Sequence, residues 1–123
     1  MGVTAIKHFD NDSAGVVVVR NVERAQSWEI NPGATLGVDI WIPWCVSQVD
    51  FDNNHYLMIE FSQPARTYWV WQSNEAWKDL VRCNTEGKWK PEASPVWGIS
   101  YVNGNRSVEL QLNGKIVFSE VAS

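Results

Sequence analysis

The feature that most constrains how this chain can fold is the regular return of turn-forming residues. Asp10-Asn11-Asp12-Ser13, Asn31-Pro32-Gly33, Asp52-Asn53-Asn54, Asn84-Thr85-Glu86-Gly87, Asn103-Gly104-Asn105 and Asn113-Gly114 punctuate it at short intervals. Gly and Asn tolerate positive φ, Pro presets φ at the start of a turn, and Asp and Asn bond to their own backbone, so each cluster can reverse the chain at little cost. β-Branched and aromatic runs fill the spaces between. Short strands between frequent turns predict an all-β fold, an antiparallel β-sandwich or jelly-roll-like barrel of about nine strands. The 123 residues suit a single domain, 1–123, with one hydrophobic core.

Strands are expected over Ala5–Phe9, Gly15–Asn21, Ser27–Asn31, Ala34–Ile42, Tyr56–Ser62 and Thr67–Gln72. The two Asn-Gly steps, which suit type I′ turns, predict a closing meander of Val96–Val102, Ser107–Leu112 and Lys115–Val121. In its middle strand Val108, Leu110 and Leu112 alternate with Ser107, Glu109 and Gln111, one buried face and one wet face. Ser73 to Arg82 is ambiguous: Trp77, Leu80 and Val81 follow helical spacing, while Leu80–Cys83 could pair with Lys88–Lys90. No internal repeat, low-complexity segment or linker interrupts the pattern.

Within such a fold, eight tryptophans are the unusual component: Trp28, Trp41, Trp44, Trp69, Trp71, Trp77, Trp89 and Trp97. Each ring is large and carries an N–H that needs a partner, so a small core does not readily bury all eight. Strand alternation sorts them. Val38, Ile40 and Ile42 share one face, which leaves Trp41 beside Asp39 on the solvent side. Trp44 follows directly after Pro43. Trp69 and Trp71 share a face opposite Arg66, Tyr68 and Gln72, and either set could point outward. Trp28 with Ile30, and Trp97 with Ile99 and Tyr101, read as core faces.

An exposed ring beside carboxylates and amides suits a sugar, whose C–H face stacks while its hydroxyls bond to polar groups. A second polar concentration, Asp50-Phe51-Asp52-Asn53-Asn54-His55, reads as a loop between strands. The leading expectation is a non-catalytic, lectin-like carbohydrate-binding domain. Asp39, Trp41, Trp44, Asp52, Asn53, Asn54, His55, Trp69 and Trp71 are its candidate contacts, and a glycan or glycoconjugate its partner. Homo-oligomerisation would raise its avidity. Two alternatives carry the same tryptophans differently: a lipid-recognising, cytolysin-like β-sandwich whose rings enter the membrane interface, and a homo-oligomeric structural protein that uses them as interface anchors.

Other classes find less support. Fourteen acidic against ten basic residues leave a formal net charge of -4, and the basic residues do not cluster, which argues against nucleic acid. No apolar run could span a bilayer, and Met1 to His8 contains no leader-like apolar segment, so a soluble, cytoplasmic protein is expected. There is no nucleophile elbow, metalloprotease motif or phosphate-cradling loop, and no catalytic residue, cofactor or metal is assigned. Asp10 to Gly15 opens like a calcium loop but lacks its remaining acidic positions and reads as a turn. Cys45 and Cys83 are expected to be reduced, partly buried thiols rather than a disulfide.

Overall fold

In the computed structural model, which describes residues 3–73 and 79–121, the turns and strands assemble into two stacked sheets of five strands each. The first sheet has the order β4 (Thr35–Trp41), β1 (Thr4–Asn11), β9 (Gly104–Leu110), β10 (Ile116–Glu120), β8 (Trp97–Gly98). The second has the order β3 (Gln26–Ile30), β2 (Val17–Asn21), β5 (Leu57–Ser62), β6 (Ala65–Gln72), β7 (Val81–Asn84). This is the expected sandwich; the sheets stay open and no barrel closes. The core lies between them, where Ile6, Phe9, Val19, Ile59, Val108 and Phe118 are buried. Full burial of such a side chain is worth roughly 1.5–3 kcal/mol.

Local turn chemistry accounts for several reversals. At Asn31-Pro32-Gly33 the Ala34 N–H donates to Asn31 O at 3.0 Å and Gly33 has φ 81°, a conformation that an L-residue resists. Beyond β1, Asn11 Oδ1 accepts from Ser13 N–H at 3.0 Å and from Ser13 Oγ at 2.6 Å, so this segment is an Asx turn. Between β9 and β10 the Gly114 N–H reaches Gln111 O and the Gln111 N–H reaches Lys115 O, both at 2.9 Å. Of Asn113 and Gly114, only the glycine has positive φ (82°), so the loop is a three-residue turn with a bulge glycine rather than type I′. Leu112, expected on the buried face, falls within this turn and is exposed.

The expected closing meander does not form. β9 pairs with β10, but its other neighbour is β1, in parallel, and the short β8 runs parallel to β10 on the far side. The first sheet is therefore mixed rather than antiparallel. Asn103 and Gly104 do adopt positive φ, 78° and 117°, yet their N–H groups go to Thr4 Oγ1 and Val3 O, tying the turn to β1. Strand alternation also breaks in β1, where both ladders shift register between Ile6 and His8. That irregularity changes the parity of the strand, so Ile6 and Phe9, three positions apart, both enter the core.

The outer face of the second sheet is partly covered. Ser47 Oγ accepts from the Asp50 N–H at 3.2 Å and caps a short helix, α1 (Gln48–Asp52), in a segment expected to be loop. α1 sets Phe51 edge-on to Trp71, with ring centroids 5.8 Å apart, and stacked on Tyr56 at 4.6 Å. The helical turn considered for Ser73 to Arg82 lies largely outside the described residues, as does Trp77; Val81–Asn84 is a strand paired with β6, not with Lys88–Lys90. Cys45 and Cys83 are free, and burial pushes each thiol up to about 12. Among the described residues no helix is long and apolar enough to cross a membrane.

Candidate functional site

The chain crosses between sheets from β3 to β4 and again from β7 to β8, so the sandwich has two lateral sides where sheet edges face each other. At the β3/β4 side, away from the Asn31–Gly33 turn, a cleft of about 280 Å³ is lined by Asn21, Arg24, Gln26, Asp39 and Trp41. Two short segments build it. β4 presents Asp39 and Trp41 on one face because side chains two apart in a strand point the same way. The β2/β3 connection supplies the others: Asn21 ends β2, Val22–Arg24 form a 3-10 turn, and Gln26 opens β3.

Ala25 makes that connection tight. Its φ of 53° and ψ of 43° are left-handed, and its N–H returns to Val22 O at 3.3 Å. A left-handed alanine costs about 1–2 kcal/mol, a strain placed between two lining residues, Arg24 and Gln26.

Trp41 is 59% exposed, and among the described residues no aromatic ring or cation stacks on it. Asp39 is held by Lys7, whose Nζ donates to Oδ1 at 2.7 Å; Lys7 stands at the register shift of β1. Asn21 is 3% exposed and its Oδ1 has no hydrogen-bond partner among the described residues. A buried acceptor left unpaired costs about 1–3 kcal/mol, so this position favours a donor from outside the chain. The arrangement offers one apolar platform, one neutralised carboxylate, one guanidinium and two amides. Such groups can stack on and hydrogen-bond a polyhydroxylated ring.

Of the residues singled out from sequence, the structure brings only Asp39 and Trp41 together in this cleft. Trp44 is half-buried against the main core, because its neighbours are stitched to β6: Cys45 N–H donates to Gln72 O at 2.9 Å and Gln72 N–H to Pro43 O at 2.8 Å. The buried Gln72 side chain also donates to Ile42 O and accepts from Thr4 Oγ1 at 2.8 Å. Trp71 is fully buried against Cys45, Phe51 and Ala93, which removes it as a binding platform. Trp69 is half-buried beside the same cluster, where a Cβ at Gly87 would approach its ring to 3.0 Å.

Asp52, Asn53, Asn54 and His55 group at the corner between α1 and β5, apart from the lining of the cleft. Asp52 accepts from Gln48 Nε2 at 2.8 Å and Asn53 caps α1. Asn54 accepts from the Tyr56 hydroxyl at 3.4 Å, and His55 Nε2 lies 3.8 Å from Glu23 Oε2, so this corner braces the 3-10 turn that carries Arg24.

Trp28 packs against the core as its strand face implied, whereas Trp97, expected in the core, is 39% exposed. β8 is a two-residue edge strand, and a ring on such an edge has a neighbour on one side only. Sequence reasoning missed Asn21, Arg24 and Gln26. The polar run between two strands was a signal; its position opposite Trp41 was not, since that depends on how the sheets stack.

Two other hollows have different chemistry. One of about 580 Å³ is lined by Asp12, Glu109, Gln111, Leu112 and Asn113, without an aromatic ring or cation. A hydrogen bond to Glu109 raises Asp12 above the usual carboxylate range there. The other, of about 350 Å³, lies on the β7/β8 side and includes Tyr68, Asn84, Glu86, Lys90 and Trp97. No protein-family model, curated protein or solved structure matches the chain.

Proposed function

We propose that this chain is a carbohydrate-binding, lectin-like protein whose ligand occupies the β3/β4 cleft. The observation that carries the reading is the exposed ring of Trp41, on which no aromatic ring or cation stacks among the described residues, beside Arg24 and an Asn21 Oδ1 that have no partner among them. Stacking on the ring would bury the apolar face of a pyranose, and Asn21, Gln26 and Arg24 would bond its hydroxyls at the rim. The lining holds a single carboxylate, Asp39, already paired with Lys7. A glycosidase of the usual kind works with two carboxyl groups across the scissile bond, so the cleft suits recognition without hydrolysis.

The test is a glycan array read together with tryptophan fluorescence titrations of the wild type and Trp41→Ala. Array binding and a sugar-dependent change in fluorescence, both lost in the variant, are expected. An array without a hit and unchanged fluorescence would overturn the reading. Binding to sugar-free phosphatidylcholine vesicles that depends on Trp41 would replace it with a lipid ligand.

A further inference from the structure

We propose that the β3/β4 cleft recognises an acidic sugar, a hexuronate unit whose carboxylate is bound by Arg24; this rests on the carbohydrate reading above. The charges around the cleft are already arranged in pairs, with one exception. Asp39 belongs to Lys7 at 2.7 Å, and Glu23, next to Arg24 in sequence, faces His55 at 3.8 Å. Among the described residues no carboxylate lies within ion-pair distance of Arg24, although it lines the cleft and is exposed. A chain with net charge -4 thus presents an unmatched guanidinium beside the most exposed of its described tryptophans.

A guanidinium is planar and offers its N–H donors as a fork that matches both oxygens of a carboxylate. A hexuronate carries that carboxylate on a carbon of the pyranose ring, so one residue can stack on Trp41 and reach Arg24 together. Asn21 supplies the other half of the match. Its buried Oδ1, without a donor among the described residues, is an acceptor that a sugar hydroxyl would satisfy and an anion lacking O–H groups, such as sulfate, would not. The backbone at Arg24 is fixed beside the cleft: it ends the 3-10 turn, and left-handed Ala25 sends the chain directly into β3. A neutral sugar would leave the guanidinium unmatched, and a simple anion would leave the ring and the amide unused.

The experiment titrates the intact chain with oligogalacturonate, oligoglucuronate and oligomannuronate, each beside its methyl ester, which keeps the ring and removes the charge. At least one acid should bind tenfold or more tightly than its ester, and added salt should erode the preference. Arg24→Gln should bring acid binding down to the ester level, while Arg24→Lys, which keeps the charge but loses the fork, should retain part of the difference. Thermal melts of both variants should match the wild type, because Arg24 is exposed. Equal binding of acid and ester by the wild type, or an acid preference that survives Arg24→Gln, overturns the acidic-sugar proposal and leaves carbohydrate binding standing. Absence of binding to every acid, ester and neutral sugar removes both.

Discussion

The two lateral sides of the sandwich each expose a tryptophan, and they differ in what the rest of the molecule does around the ring. At the β7/β8 side Trp97 packs edge-on against Tyr68 at 5.9 Å, and Lys115 Nζ lies 5.6 Å from its ring centroid. The backbone closes around it: Val81 N–H donates to Ser100 O at 2.7 Å, Cys83 N–H to Ser94 O at 2.9 Å and Val96 N–H to Val81 O at 3.0 Å. The groove's one lysine is matched as well, with Lys90 Nζ 2.5 Å from Glu86 Oε2, and Glu92 is its remaining charge. At the β3/β4 side Trp41 has no such partners among the described residues, Arg24 has no carboxylate and Asn21 Oδ1 has no donor. An exposed aromatic is thus uninformative by itself. The side whose ring and guanidinium are left unused is the candidate for a ligand, and the side whose ring is packed against a tyrosine and a lysine is part of the scaffold.

Exchanging the two rings for alanine tests that contrast most directly. Trp41→Ala should weaken sugar binding by about a hundredfold, roughly 2.8 kcal/mol at 1.4 kcal/mol per factor of ten, and should leave the urea midpoint nearly unchanged because the ring has few contacts to lose. Trp97→Ala should do the reverse. Loss of an aromatic pair and a cation–π contact should cost about 1–2 kcal/mol in chemical unfolding and leave the binding isotherm where it was. If Trp97→Ala abolishes binding without destabilising the fold, the assignment of the two sides is inverted.

A smaller change sharpens the scaffold half of the contrast. The Tyr68 hydroxyl donates to Gly114 O at 2.5 Å and accepts from Arg66 Nη1 at 3.1 Å. Tyr68→Phe keeps the ring under Trp97 but removes that link to the β9/β10 turn. It should cost about 1 kcal/mol, with sugar affinity unaltered; a loss of affinity would couple the two sides.

The smallest expected effect is a control outside the lining of either side. Folding raises the Asp12 pKa through its hydrogen bond to Glu109. The folded chain therefore holds that proton at pH values where the unfolded chain has released it. Stability is unaffected below the ordinary carboxylate pKa and declines as pH rises from there through the raised value. Glu109→Gln should flatten this slight decline in pH-dependent melts. A sugar affinity that followed the same pH dependence would instead implicate the Asp12 hollow.

Much of the local architecture was legible before folding was considered. Asn31-Pro32-Gly33 specifies its turn through φ restrictions alone, and alternation in Val38 to Ile42 placed Trp41 with Asp39 on the wet side. Where alternation misled, a distant segment had intervened. Trp69 and Trp71 do lie on the outer face of β6, but α1 and Ala93 cover Trp71. Trp97 sits on an apolar-looking stretch of which only two residues become strand. The closing meander failed because β1 takes the place beside β9, and a turn motif carries no information about a strand a hundred residues earlier in the chain.

The sequence by itself determined where most turns fall, the strand periodicity, the all-β class and the pairing of Trp41 with Asp39, because each depends on backbone torsions and on neighbours two to four residues away. Only the tertiary structure decided that β1 lies beside β9, that Trp71 is enclosed and that Asn21, Arg24 and Gln26 stand across from Trp41. Those outcomes follow from which sheet edges meet when both apolar faces are buried together, a condition on the whole chain that no short stretch of it encodes.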